Sequence, residues 1–279
     1  MILAQTTAHW THDLDPFLIR FGENVGIRWY GMSYLMGFLV GFFLLRLYHK
    51  KKRSPLNPEQ QTSLLTYIIL GVLAGGRLGY MLLYSSGQKA LAENPLNFFK
   101  VWEGGMASHG GFVGVVLVVV LFSRKNRISL FRLGDIVATL APAGLCFGRI
   151  ANFINGELWG KVSHLSWAVI FPDAGDEPRH PSQLYEAGLE GLVVFLYIQH
   201  RFWRNRVAKD RPGQLAGEFL IGYSVARFVC EFFREPDDVL ITGLSKGQFY
   251  SIGLVALGVV FIVLARARAG RETMEGSGN

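Results

Sequence analysis

The stretch Trp29-Tyr30-Gly31-Met32-Ser33-Tyr34-Leu35-Met36-Gly37-Phe38-Leu39-Val40-Gly41-Phe42-Phe43-Leu44-Leu45-Arg46-Leu47, followed within three residues by Lys50-Lys51-Lys52-Arg53, decides the architecture. Its first part is an apolar run close to the ~20 residues that cross a bilayer as a helix. Its second part is a basic cluster of the kind that stays on the cytoplasmic side of such a helix. Working outward, the pattern repeats. Further apolar runs cover Ser63–Tyr84, Gly104–Ser123, Leu133–Phe153, Pro181–Gln199, Gln214–Phe233 and Gln248–Ala265. Basic clusters follow every second run: Arg124, Lys125, Arg127 and Arg132, then Arg201, Arg204, Arg206, Lys209 and Arg211, then Arg266, Arg268 and Arg271. The alternate segments are poorer in Lys and Arg. The expectation is an all-α polytopic membrane protein of seven transmembrane helices, with a periplasmic N-terminus and a cytoplasmic C-terminus.

Composition agrees. Half of the 279 residues are hydrophobic and 18% are charged, below the ~25% of an ordinary soluble domain. The formal net charge of +7 resides in short clusters between apolar runs. No nucleic-acid-binding motif accompanies it, so no nucleic-acid partner is expected. The two cysteines, Cys146 and Cys230, lie inside apolar runs and read as small buried hydrophobes. The N-terminus, with Asp13, Asp15 and Glu23, does not read as a cleavable signal peptide. One transmembrane helical domain is expected over 1–265, with a periplasmic connection around 155–180 and a basic, then polar, cytoplasmic tail over 266–279. The aromatics of that connection, Trp159, Trp167 and Phe171, suit a segment lying on the membrane surface. Glycines recur four apart, as in Gly71, Gly75 and Gly79 or Gly110 and Gly114, a spacing that lets helix backbones approach closely in lipid.

Polar side chains inside the spans are costly, at least ~2.5 kcal/mol for a central charge, so their depth is informative. Given the alternating topology, Tyr30, Arg77, His109, Arg149, Asn152, His180, Gln183, Tyr185, Glu186, Arg227 and Glu231 all fall at the level of the outer leaflet. Glu190 lies deeper, and Asp135 lies at the cytoplasmic end. Tyr223, Arg227 and Glu231, spaced four apart, share one helix face. This describes a polar chamber open towards the periplasmic half of the bilayer. Arginine forks in such a chamber suit a phosphate, because a guanidinium binds phosphate oxygens bidentately and stays charged. At that depth the phosphate is that of a phospholipid. No Walker loop, HExxH or GxSxG motif is present, which favours a nucleophile that arrives with a substrate. A transporter or flippase of an anionic lipid is the alternative. It would normally show internal repeats and polar residues on both sides of the membrane centre.

The segment Gly148-Arg149-Ile150-Ala151-Asn152-Phe153-Ile154-Asn155-Gly156-Glu157-Leu158-Trp159-Gly160 resembles the signature of prolipoprotein diacylglyceryl transferases. Trp29-Tyr30-Gly31, Gly75-Gly76-Arg77, His109-Gly110-Gly111, Arg179-His180-Pro181-Ser182-Gln183-Leu184-Tyr185-Glu186 and Glu231-Phe232-Phe233-Arg234 resemble the same family, in family order. The resemblance implies a seven-span inner-membrane enzyme acting on phosphatidylglycerol and on the lipobox cysteine of a prolipoprotein signal peptide. It would form a thioether and release glycerol phosphate. No cofactor and no metal are expected. Within that frame Arg149 and Arg227 would hold the phosphate, and Arg77 would either assist or brace the bundle. His109, then His180, are candidates for the base that takes the thiol proton. Asn152 and Asn155 would donate to phosphate or glycerol oxygens. Glu157 and Glu231 would orient the arginines, Tyr30 and Tyr223 would hydrogen-bond the headgroup, and Gly160 would permit a tight turn.

Overall fold

The computed structural model describes residues 9–22, 25–100, 104–236 and 243–276. After a short strand β1 (Trp10–Thr11), β2 (Phe17–Arg20) and β3 (Gly26–Arg28) form a hairpin that runs directly into α1 (Trp29–Lys50). Then come α2 (Pro58–Leu83), α3 (Ser85–Glu93), α4 (Ser108–Asn126) and α5 (Leu130–Ile154). β4 (Val169–Ile170) and β5 (Pro178–Arg179) precede α6 (Ser182–Glu186), a π-helical stretch Ala187–Val193 and α7 (Val194–Arg204). A single turn α8 (Val207–Asp210), α9 (Gln214–Cys230) and α10 (Lys246–Gly276) complete the chain. Among the described residues, five helices are long and apolar enough to cross a membrane: α1, α2, α4, α5 and the part of α10 from Lys246 to Gly270. The other two expected spans are also helical. One is the continuous helix 182–204, which carries Glu186, Glu190, Arg201 and Arg204. The other is α9, which has 17 residues and ends at Cys230 rather than Phe233. α10 continues beyond Ala265 into the stretch expected to be a tail.

Two small sheets depart from the all-α expectation. β4 pairs with β1 in parallel and with β5 antiparallel, and β2 pairs with β3. The connection 155–181 is too short to build a helical core of its own, yet its buried backbone groups need partners. It finds them in the N-terminal segment: the His12 amide donates to the Ile170 carbonyl at 2.8 Å. The aromatics follow suit. Phe171 is fully buried, stacked on Trp159 and edge-on to Phe153, with the His12 ring against it. It belongs to a small core and not to a membrane-surface belt. Trp167 remains exposed.

The Cα packing divides the chain into two compact units, 41–134 and 1–40 with 135–279, and the division falls inside α1 and α5 rather than in a linker. In the 41–134 unit, α2 starts at a capping box. Asn57 accepts from the Gln60 amide at 2.8 Å, and the Asn57 amide donates back to Gln60 Oε1 at 3.0 Å. α2 and α4 then meet along glycines: a Cβ on Gly75 or Gly110 would overlap the facing carbonyl, and one on Gly79 would sit 2.8 Å from the Gly110 Cα. In the other unit Gly37 faces Gly144, and Gly217 faces Gly258 across α9 and α10.

Two outcomes follow from this packing. Gly110→Val forces α2 and α4 apart and lowers stability by about 1–3 kcal/mol, read as thermal unfolding in detergent micelles; an unchanged midpoint refutes the backbone contact. The second concerns His180, whose imidazole is pushed below its ordinary range by partial burial and by the charge of Lys161. An unfolded histidine binds a proton near pH ~6.5, so His180 contributes stability that is complete above that pH. That stability is lost as the pH falls through the lower folded value. The unfolding midpoint therefore drops on acidification from about pH 7 to 5, and His180→Gln shallows that drop.

Candidate active site

The site is built where α5 ends. Arg149 is in its penultimate turn, Asn152 and Asn155 follow, and the chain leaves the helix at Gly156, whose φ of +68° suits a residue without a Cβ. A Cβ there would also press on the His12 ring at 3.2 Å. The exit is held from inside: Asn152 Nδ2 donates to Glu157 Oε1 at 2.7 Å, and Asn155 Nδ2 donates to the same oxygen at 3.3 Å. It is held from outside by the start of helix 182–204. Gln183 Nε2 donates to the Glu157 carbonyl at 2.7 Å, and Ser182 Oγ donates to the Leu158 carbonyl at 3.1 Å. Both side chains are fully buried.

This stapling sets the register in which helix 182–204 passes α5. Gly191, inside the π-helical stretch, lies so close to α5 that a Cβ would fall 2.6 Å from the Cys146 Cα. One turn along, Arg149 meets two carboxylates. Its Nη1 is 2.9 Å from Glu186 Oε2, and its Nη2 is 3.2 Å from Glu190 Oε2. π-Helical turns of this kind occur preferentially at functional sites.

α9 brings the second arginine. Its N-terminus is fixed by Asp135 of α5, whose carboxylate accepts from the Gly213 and Ala216 amides, both at 2.8 Å. A buried acid at a helix N-terminus satisfies otherwise orphan amides and opposes the helix dipole favourably. Towards the other end, Arg227 Nη1 is 2.6 Å from Glu186 Oε1 and 3.4 Å from Glu190 Oε1, and its Nη2 contacts Glu231. Glu231 Oε2 accepts from the Ser245 hydroxyl at 2.6 Å. Arg234 joins from the turn after α9, with Nη1 3.3 Å from Glu186 Oε1. Tyr223, one turn before Arg227, interacts electrostatically with Glu190, Arg149 and Arg227.

Three arginines from two segments thus face three glutamates, and the network is neutral overall. Glu186 and Glu190 are fully buried, whereas the Arg149 and Arg227 side chains keep 17% and 14% exposure. A buried ion-pair network contributes little net stability, because desolvation offsets the attraction. Such a concentration of charged groups in a helix bundle makes this place the candidate functional site.

Among the residues read from the sequence, Arg149, Arg227, Glu231 and Tyr223 gather in this network. Asn152, Asn155 and Glu157 form the helix exit beside it. Glu157 was expected to orient an arginine; among the described residues its carboxylate instead accepts from the two asparagines, because the short exit turn folds it back onto α5. Gly160 is a backbone position: its amide donates to the His180 carbonyl at 2.9 Å, and a Cβ would fall 2.6 Å from that oxygen. The His180 ring packs on Phe233 and Tyr185, with Nδ1 3.2 Å from the Tyr185 hydroxyl. Tyr30 opens α1, with its ring 5.5 Å from that of Tyr34. Arg77 and His109 belong to the 41–134 unit. Arg77 gives its fork to the carbonyls of Asn97, Phe98, Gly104 and Gly105. His109 is exposed in the first turn of α4.

Glu186, Glu190 and Arg234 carry the network yet were not among the predicted site residues. The i, i+4 spacing of the two glutamates within an apolar span was the available signal.

The chain matches the family model described as prolipoprotein diacylglyceryl transferase over residues 16–264. It is 46% identical over 245 residues to the phosphatidylglycerol–prolipoprotein diacylglyceryl transferase of Zymomonas mobilis subsp. mobilis, covering 87% of this chain and 85% of that one. It is 45% identical over 258 residues to the protein of that name from Rhodospirillum rubrum, covering 91% and 93%. It is also 45% identical over 264 residues to that of Bordetella avium, covering 92% and 97%. With a match across almost its whole length, the chain belongs to the prolipoprotein diacylglyceryl transferase family.

Proposed function

We propose that this protein transfers the diacylglyceryl group of phosphatidylglycerol to the lipobox cysteine thiol of prolipoprotein signal peptides. The products are a thioether and glycerol phosphate. It would do so in the bacterial inner membrane, with seven spans, the N-terminus periplasmic and the C-terminus cytoplasmic. The observation that carries the reading is the convergence of Arg149 and Arg227, from separate helices, on the Glu186–Glu190 pair.

The chemistry runs as follows. The sulfur attacks the glycerol carbon that bears the phosphate, the carbon–oxygen bond breaks, and negative charge collects on the departing phosphodiester oxygen. Guanidinium groups already aimed by buried carboxylates need no reorganisation to receive that charge, the condition under which electrostatic stabilisation is strongest. Each fork has five N–H donors. The carboxylates engage Nη1 and Nη2 of both arginines, and the remaining N–H groups would donate to phosphate. Arg149 and Arg227 are accordingly the phosphate clamp. Glu186, Glu190 and Glu231 position the clamp, and Tyr223 and Tyr30 hydrogen-bond the headgroup. Asn152 and Asn155 donate to glycerol or phosphate oxygens, and Glu157 fixes the asparagines. A free thiol is mostly protonated at neutral pH; His109 is the proposed base, with His180 second. Arg77 is assigned a bracing role.

Incubation of the purified protein with phosphatidylglycerol and a lipobox peptide, read by mass spectrometry, tests the activity directly; absence of the diacylglyceryl adduct overturns it. Arg149→Lys and Arg227→Lys each keep the charge and lose the fork. Each lowers kcat/KM by about 10-fold or more, the value of one charge-assisted hydrogen bond, and full activity in both sinks the clamp. A general base acts in its deprotonated form, so if His109 is the base kcat/KM of the unmodified protein rises with pH. His109→Gln then removes that rise, and an unchanged profile excludes the role.

A further inference from the structure

The β2–β3 hairpin has two unlike faces. Ile19 is directly opposite Ile27 in the register, and Arg20 opposite Gly26. The Phe21 amide donates to the Val25 carbonyl at 2.9 Å. Side chains two apart on a strand, and those opposite one another across a pair, share a face. Ile19, Phe21, Val25 and Ile27 therefore form one continuous apolar face. They are 47%, 72%, 66% and 39% exposed.

The other face is sealed and cationic. The Phe17 ring lies against Gly26, where a Cβ would be 2.7 Å from Phe17 Cδ1. The guanidinium carbons of Arg20 and Arg28 cover the ring at 4.4 and 4.6 Å. Arg20 is further tied to Asp15 at 2.7 Å.

From this amphipathic ribbon we infer that the hairpin is a membrane-surface wedge, with its Ile19, Phe21, Val25 and Ile27 face seated in the lipid interface of a bilayer containing anionic headgroups. Four features select lipid over a protein occupant. β3 ends at Arg28 and α1 begins at Trp29, so the chain enters the membrane-crossing helix without a spacer. The Trp29 amide donates to the Pro16 carbonyl at 3.0 Å, which clamps the hairpin base to the start of that helix. Strands of this length reach only about 10–15 Å from the clamp, which keeps the apolar face near the headgroup region, about 5–8 Å thick on each side of the hydrocarbon. Finally, the opposite face is polar, with Arg20 paired to Asp15 and Arg28 able to meet anionic phosphates, the usual partition of an interfacial amphipathic element. The inference rests on α1 crossing the bilayer and does not depend on the catalytic reading.

The test uses the full chain in nanodiscs of phosphatidylcholine and phosphatidylglycerol. Phe21→Cys and Val25→Cys are each labelled with the environment-sensitive dye NBD. Asp13→Cys, an exposed position before the hairpin, serves as the water-facing reference. Unsubstituted protein carried through the same labelling supplies the background from Cys146 and Cys230. At positions 21 and 25 the expected result is blue-shifted emission, stronger quenching by doxyl-labelled lipid than at position 13, and weaker quenching by iodide. The two hairpin variants are independent, so one that fails to fold leaves the other to decide. Emission and iodide quenching equal to those at position 13 overturn the inference. A blue shift that appears only after a peptide substrate is added overturns it as well, by making the occupant a protein segment.

Discussion

A carboxylate or guanidinium in a helix bundle bathed by lipid is tolerated only when an opposite charge meets it at hydrogen-bond distance. That constraint organises the 1–40 and 135–279 unit. Glu186 and Glu190 have no exposure, and each is held by both Arg149 and Arg227. Removing either arginine leaves the buried network one positive charge short, so the two helices that supply them are locked in mutual register. Much of the neighbouring structure fixes that register: the asparagine-bound exit of α5, the Gln183 and Ser182 staples, the close pass of Gly191 over Cys146, and the Asp135 cap on α9. Each is a local solution to an unsatisfied backbone or side-chain group, and together they aim two forks at one place.

The arrangement suits a reaction that needs electrostatics more than covalent chemistry. In the proposed transfer both nucleophile and leaving group come from the substrates, and the protein supplies fixed positive charge where the oxyanion grows. Neutral as a set, the network does not attract anions from afar. In the proposed transfer it would accept one by letting a phosphate share donors with carboxylates already present. The partial exposure of Arg149 and Arg227, against the full burial of their glutamates, puts the cationic side of the network outermost.

The glycines illustrate the same economy in the 41–134 unit. Without water between helices, hydrophobic burial gives little drive to associate, and close backbone contact takes over. Gly71, Gly75 and Gly79 of α2 face Gly110 and Gly114 of α4 at separations that leave no room for a Cβ. Arg77 closes the end of α2 on four main-chain carbonyls, a use of a fork that needs no ligand.

The helical character, the membrane-crossing runs and the family signature were legible in the chain, because lipid imposes a length and a charge rule that act on contiguous residues. Arg149, Arg227 and Glu231 were legible for a related reason: charge inside an apolar run is costly wherever it lies in space. Their partners Glu186, Glu190 and Arg234 were visible as charges but not as partners. Pairing depends on the rotation of helix 182–204 about its axis, and a π-helical turn alters that rotation without any sequence pattern that announces it. The two small sheets, the inward burial of Phe171 and the folding of Glu157 onto two asparagines were hidden too. Each is settled by which distant backbone groups remain to be satisfied once the helices have packed, a question of three-dimensional proximity that one-dimensional spacing does not encode.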